Sequence, residues 1–133
     1  MVAVTGSWSG TFGPQPNGTE AVNGDGTVKG VGPVYAVGVI QQDLMKAKSG
    51  TRITGFISLY ASGTNQNVAN LNLSGVVPRA FKTKVPLTLG LNGNGVGGGL
   101  PQSLKGTAIT TIMTMNQNGT GQYKLSFNAS GRK

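Results

Sequence analysis

The chain contains no histidine and no cysteine, and its only carboxylate side chains are Glu20, Asp25 and Asp43. Those residue types carry most general acid–base work, nucleophilic catalysis and transition-metal ligation. Their scarcity across 133 residues argues against an enzyme, removes disulfides and thiolate metal sites, and predicts no cofactor. No stretch reaches the ~18 apolar residues of a membrane-spanning helix. The N-terminal Met1-Val-Ala-Val-Thr-Gly lacks the basic and apolar regions of a secretory signal, so export by that route is not expected. Charge is also scarce: charged residues make up 11% of the chain, against the ~25% usual for globular chains. Solubility therefore rests on Asn, Gln, Ser and Thr.

What charge there is has one sign. Eleven Lys and Arg against three acids leave a net charge of +8. A basic surface attracts polyanions, whether nucleic acid or an acidic partner surface. The cations are scattered, however, and the one dense group is Arg79, Lys82 and Lys84 around Phe81.

Glycine is abundant, at 23 residues, and period-2 alternation dominates the rest. Val4, Gly6, Trp8, Gly10 and Phe12 share one strand face opposite Thr5, Ser7, Ser9 and Thr11. Gly13-Pro-Gln-Pro-Asn-Gly18 ends that strand, because proline lacks a ladder donor and Asn-Gly favours a turn. Asn23-Gly-Asp-Gly26 reads as a second turn, with Thr19 to Val22 a short strand between. Thr27–Val31 and Val34–Ile40 read as strands divided by Gly32-Pro33, and the second is apolar on both faces. Gln41 to Lys48 contains good helix formers and is the one helix the sequence suggests.

Thr51–Tyr60 and Asn67–Gly75 form a predicted hairpin. Phe56 and Tyr60 lie on the face opposite Ile53, Ile57 and Leu59. Lys82–Leu91 alternates as well, with Lys82 and Lys84 on one face, and Pro86 marks it as an edge strand. Asn92 to Leu104 reads as a flexible loop. Gly106–Met115 and Gly121–Ser130 form the clearest hairpin, with Tyr123, Leu125, Phe127 and Ala129 inward. The expectation is a single all-β domain over 1–133: an antiparallel β-sandwich or small β-barrel of about eight strands. At most one short helix lies near 41–48, with flexible Gly/Asn-rich loops at 13–26 and 92–104.

Most local motifs dissolve into ordinary chemistry. The glycines of Asn92–Gly99 lack the Lys-Ser/Thr pair and following helix of a phosphate-binding loop. Glu20 and Asp25 supply too few oxygens for a calcium site, and Asn-Gly-Asp-Gly is well explained as a turn. Asn-x-Ser/Thr sequences begin at Asn17, Asn72, Asn118 and Asn128. These are glycosylation acceptors only in an exported protein.

Gly6-Ser7-Trp8 is similar to the Gly-x-Trp element that opens the first strand of lipocalin-like barrels. The resemblance covers these few residues. It implies a closed barrel in which a basic residue late in the chain, Lys124 or Arg132, packs over Trp8.

Three functional expectations follow. The first is a non-enzymatic, self-assembling structural β subunit: a virion coat, decoration or tail component, or an extracellular filament protomer. It rests on the missing chemistry and on strands apolar on both faces, which homo-oligomers or other structural subunits bury. The alternative is a barrel binding a small molecule or glycan, with Trp8, Phe12, Phe56 and Tyr60 as pocket or core aromatics. The third is a nucleic-acid binder using Arg79, Lys82 and Lys84 as a basic strand face. The same three residues are candidate contacts to an acidic neighbouring subunit.

Overall fold

A computed structural model describes residues 1–42, 50–78 and 80–132 of the chain. Eight antiparallel strands follow one another: β1 (Val2–Pro14), β2 (Glu20–Val28), β3 (Gly32–Gln42), β4 (Gly50–Ala61), β5 (Asn67–Pro78), β6 (Leu87–Gly95), β7 (Leu104–Met115) and β8 (Gly121–Gly131). Each strand pairs with its successor. β1 also pairs with β8, from Val2 opposite Gly131 to Phe12 opposite Gly121, which closes the sheet into a barrel. Closure decides between the two expected architectures in favour of the barrel. It leaves no strand edge exposed.

The alternation read from the sequence sets the wall. Val4, Trp8, Leu59, Leu71, Leu91, Leu125 and Phe127 are buried inside, whereas Thr5, Ser9, Asn70, Asn72, Lys124 and Asn128 face outward. Lipid-spanning barrels show the reverse, an apolar band outside and a polar interior. Among the described residues no helix is long and apolar enough to cross a membrane.

The two ends of the barrel differ. At one end the turns after β2, β4 and β6 cover a packed floor of Val4, Val28, Val34, Leu59, Leu104 and Ala129. The β6–β7 connection folds back there and buries Leu100 and Pro101, with the Gly95 N–H donating to the Pro101 carbonyl at 2.9 Å. The other end lies where β1, β3, β5 and β7 finish, and the described residues there leave a cavity unfilled.

Several local expectations change. Asn23-Gly-Asp-Gly26 is not a turn but the middle of β2, paired with both β1 and β3. Gly24 and Gly26 face inward beside Trp8, and a Cβ on Gly24 would lie 2.7 Å from the indole Cδ1. Gly24 makes room for the indole ring, and Gly26 for the close approach of the β1 backbone. The next turn falls at Lys29–Val31 rather than at Gly32-Pro33, with Gly30 in the left-handed region at φ +88°.

Gln41 and Gln42 extend β3, paired with Thr54 and Ile53, instead of starting a helix. The rest of that expected helix, residues 43–48, lies outside the described residues. Lys82 to Pro86 is not strand: β6 begins at Leu87, and Lys84 sits at φ +69°. Asn92–Gly95, expected in a loop, completes β6 against β5 and β7.

Candidate functional site

Eight strands enclose an interior just wide enough to be filled by side chains or to hold one small ligand. Here the barrel does both, at different depths. The closed half is packed. The open half contains a cavity of about 220 Å³. Trp8, Tyr123 and Leu125 form part of its lining, with Val22, Ile57, Leu73 and Leu89 around them. Phe12, Glu20, Ile40, Gln42, Phe81 and Met115 also line it, from positions near the strand ends and in the β5–β6 connection.

The wall is almost wholly apolar, and its deep polar groups are already paired. Trp8 donates its Nε1–H to the Tyr123 hydroxyl at 2.8 Å. That hydroxyl in turn donates to the Asn23 backbone carbonyl at 3.0 Å. Thr110 donates its hydroxyl to the Lys124 carbonyl at 3.1 Å. Burial pushes the Tyr123 phenol up to about 12, an effect the hydrogen bond from Trp8 partly opposes. The phenol therefore stays neutral through the physiological range. It braces Trp8 rather than serving as a base.

Glu20 is different. It is the only charged residue among the described residues lining the cavity. Its Oε2 is buried and has no hydrogen-bond partner among the described residues. Desolvation raises its pKa from the usual 4.5. The cup thus has satisfied polar groups in its depth and an unsatisfied carboxylate oxygen at the strand end.

The structure distributes the expected site residues unevenly. Trp8 and Phe12 line the cavity; Trp8 is 3% exposed and tilts against Phe127 with centroids 5.9 Å apart. Phe12 packs against Tyr123 at 6.5 Å. Phe56 and Tyr60 point the other way. Phe56 is 44% exposed, and Tyr60 stacks on Tyr35 outside the barrel at 5.1 Å. Lys82 and Lys84 are exposed in the β5–β6 connection and share no strand face. The strand face expected to carry Lys82 and Lys84 is therefore absent, since β6 begins only at Leu87; Arg79 lies outside the described residues. Lys124 opposes Ser9 on the outer face and Arg132 follows β8, and the ring that packs on Trp8 among the described residues is Phe127. Glu20 faces the cavity, whereas Asp25 is exposed and outward on the same strand.

Sequence reasoning missed Glu20, Gln42, Phe81 and Met115. Glu20 and Gln42 were accessible in principle, since each continues the inward series of its strand by two residues (Val22 and Ile40). Met115 was not. A register shift between Ile112 and Thr114 inserts one residue into β7. Such a bulge reverses the phase of alternation, which turns Met115 toward the mouth. Comparison with protein-family models, with curated proteins and with solved structures gives no match to this chain.

Proposed function

We propose that this protein is a non-enzymatic binding barrel that holds one small, largely apolar molecule in its open half. The observation that carries the reading is the contrast between the two halves: a packed floor beneath a cavity of about 220 Å³ lined mainly by aliphatic and aromatic side chains. A dry engineered cavity of about 150 Å³ accommodates benzene. By that scale the cup suits a body of about nine non-hydrogen atoms, below the size of a typical oligosaccharide. Calorimetry with a series of alkylbenzenes tests this. Affinity rises with each added methylene until the cup is full and then stops rising. Absence of saturable binding throughout the series contradicts the proposal.

A second reading, self-association as a structural subunit, is favoured by a separate observation on the outer wall. On β3 and β4 the outward residues Tyr35, Val37, Val39, Phe56 and Tyr60 are apolar or aromatic, and Val37 is 49% exposed. The exposed wall lysines Lys105 and Lys124 stand on β7 and β8, across the barrel from that face. Arg52 faces outward at the start of β4, so in a chain of net charge +8 two copies meet with least repulsion where this wall is apolar, around Val37, Phe56 and Tyr60. Sedimentation tests it. The wild type forms a concentration-dependent dimer that Phe56→Lys dissociates; a monomer at every concentration contradicts it.

A further inference from the structure

The cavity's polar groups identify the chemistry of its ligand, on the premise that the cup is a binding site. Tyr123 both accepts from Trp8 and donates to the Asn23 carbonyl, and Thr110 donates to the Lys124 carbonyl. These groups are already engaged within the wall. Among the described residues lining the cavity, Glu20 alone has a buried side-chain oxygen without a partner, its Oε2. A buried acceptor without a donor is costly, and most of all when it carries charge.

We infer that the ligand is a small apolar ammonium compound, whose hydrocarbon body fills the cup and whose cationic N–H donates to Glu20. The arrangement is selective in both directions. A carboxylate ligand would set like charges together inside a low-dielectric mouth. A purely hydrocarbon ligand would fill the volume and leave Oε2 unpaired.

The strand geometry places the head group. Glu20 is the first residue of β2, with Pro14 and Ile40 as its cross-strand neighbours. Val22 continues the inward face of β2 below it, and Trp8 lines the same cavity from the centre of β1. A ligand with its ammonium at Glu20 therefore directs its body down β2 toward the indole. Neither Pro14 nor Ile40 has a side-chain donor for the carboxylate, and the nearby Gln42 amide makes no hydrogen bond to its Oε2. The overall charge of +8 opposes cation approach at long range, but that field is screened over a Debye length of about 8 Å in physiological salt. The contact with Glu20 is not.

The test uses three probes of similar shape: phenethylamine, propylbenzene and hydrocinnamate, titrated into the wild type and Glu20→Gln. Trp8, the single tryptophan, reports binding by fluorescence. In the wild type the amine binds at least tenfold more tightly than hydrocinnamate, roughly the value of a hydrogen bond to a charged group. Glu20→Gln weakens the amine by about tenfold, relieves the penalty on hydrocinnamate and leaves propylbenzene unchanged. If propylbenzene binds but the amine loses nothing in Glu20→Gln, the inference falls and the binding barrel stands. If propylbenzene does not bind either, both fall.

Discussion

Trp8 and Tyr123 are separated by 115 positions in the chain, yet the indole N–H donates to the phenol oxygen at 2.8 Å inside the barrel. The contact exists because β1 and β8 pair, Trp8 opposite Leu125 and Gly10 opposite Tyr123, at the seam where the sheet closes. The bond thus ties the seam from within. It also sets the polarity of the cavity, since it occupies two polar groups that a ligand would otherwise meet.

Removing the phenol oxygen should therefore cost more than its size suggests. Tyr123→Phe leaves the Trp8 N–H buried with no acceptor, and such an orphaned donor costs about 1–3 kcal/mol. Urea denaturation should show a lowered midpoint with an unchanged slope. Phe127→Tyr, which removes no partner from Trp8, is no substitute for this test.

The same residue gives the fold a pH dependence at alkaline pH. Tyr123 ionises near 10 in the unfolded chain and near 12 in the barrel. Below pH 10 both states hold the proton, and this group makes no pH-dependent contribution. Between pH 10 and pH 12 the unfolded chain releases it first, so stability falls as pH rises. The total loss is about 2–3 kcal/mol. Lysines titrate in the same window, so the quantity to measure is the difference between the wild type and Tyr123→Phe. That difference should shrink as pH rises through the window.

Glycines should fall into two groups when replaced by alanine. At Gly24 a Cβ would stand 2.7 Å from Trp8 Cδ1 and press on the Ser9 backbone. Overpacking of that kind costs about 1–3 kcal/mol. Gly63 has nothing within 4 Å of the corresponding position, and Gly63→Ala should leave the thermal midpoint within experimental error.

The same comparison explains what could be read from the chain in advance. The inward series Tyr123, Leu125, Phe127 and Ala129 was plain, because β8 alternates without interruption. Asn23-Gly-Asp-Gly26 reads as a turn because glycine serves a turn and a crowded inward strand position equally well, and only the position of Trp8 on the neighbouring strand separates them. Sandwich and barrel were indistinguishable for a similar reason: the β1–β8 pairing joins the two ends of the chain and leaves no local trace. Trp8 and Phe12 were found as inward aromatics. Phe56 and Tyr60 share only their residue type with these two, since their phase on β4 puts them opposite Ile57 and Leu59. The cavity itself depends on which inward positions carry small or short side chains at one end, a property of eight strands together.

The two halves of the barrel should be separable by mutation. Leu100→Ala opens a hole beneath the floor and should cost about 2–5 kcal/mol, with no change in affinity for an alkylbenzene. The converse holds for Val77→Trp, which fills the mouth from a half-buried position on β5 and should abolish binding while the barrel stays folded. Denaturation and calorimetry on the two variants give the four numbers needed.

The most direct test of the binding claim is a backbone amide NMR titration of the wild type with propylbenzene, with Val77→Trp alongside. Saturable binding with Kd on the order of 0.1 mM is expected for a ligand of this size. Shifts should be concentrated around Phe12, Val22, Ile57, Leu73 and Tyr123, absent around Leu100 and Leu104, and lost in Val77→Trp. Shifts that fail to saturate, that spread over the outer face of β3 and β4 instead, or that persist in Val77→Trp would contradict it.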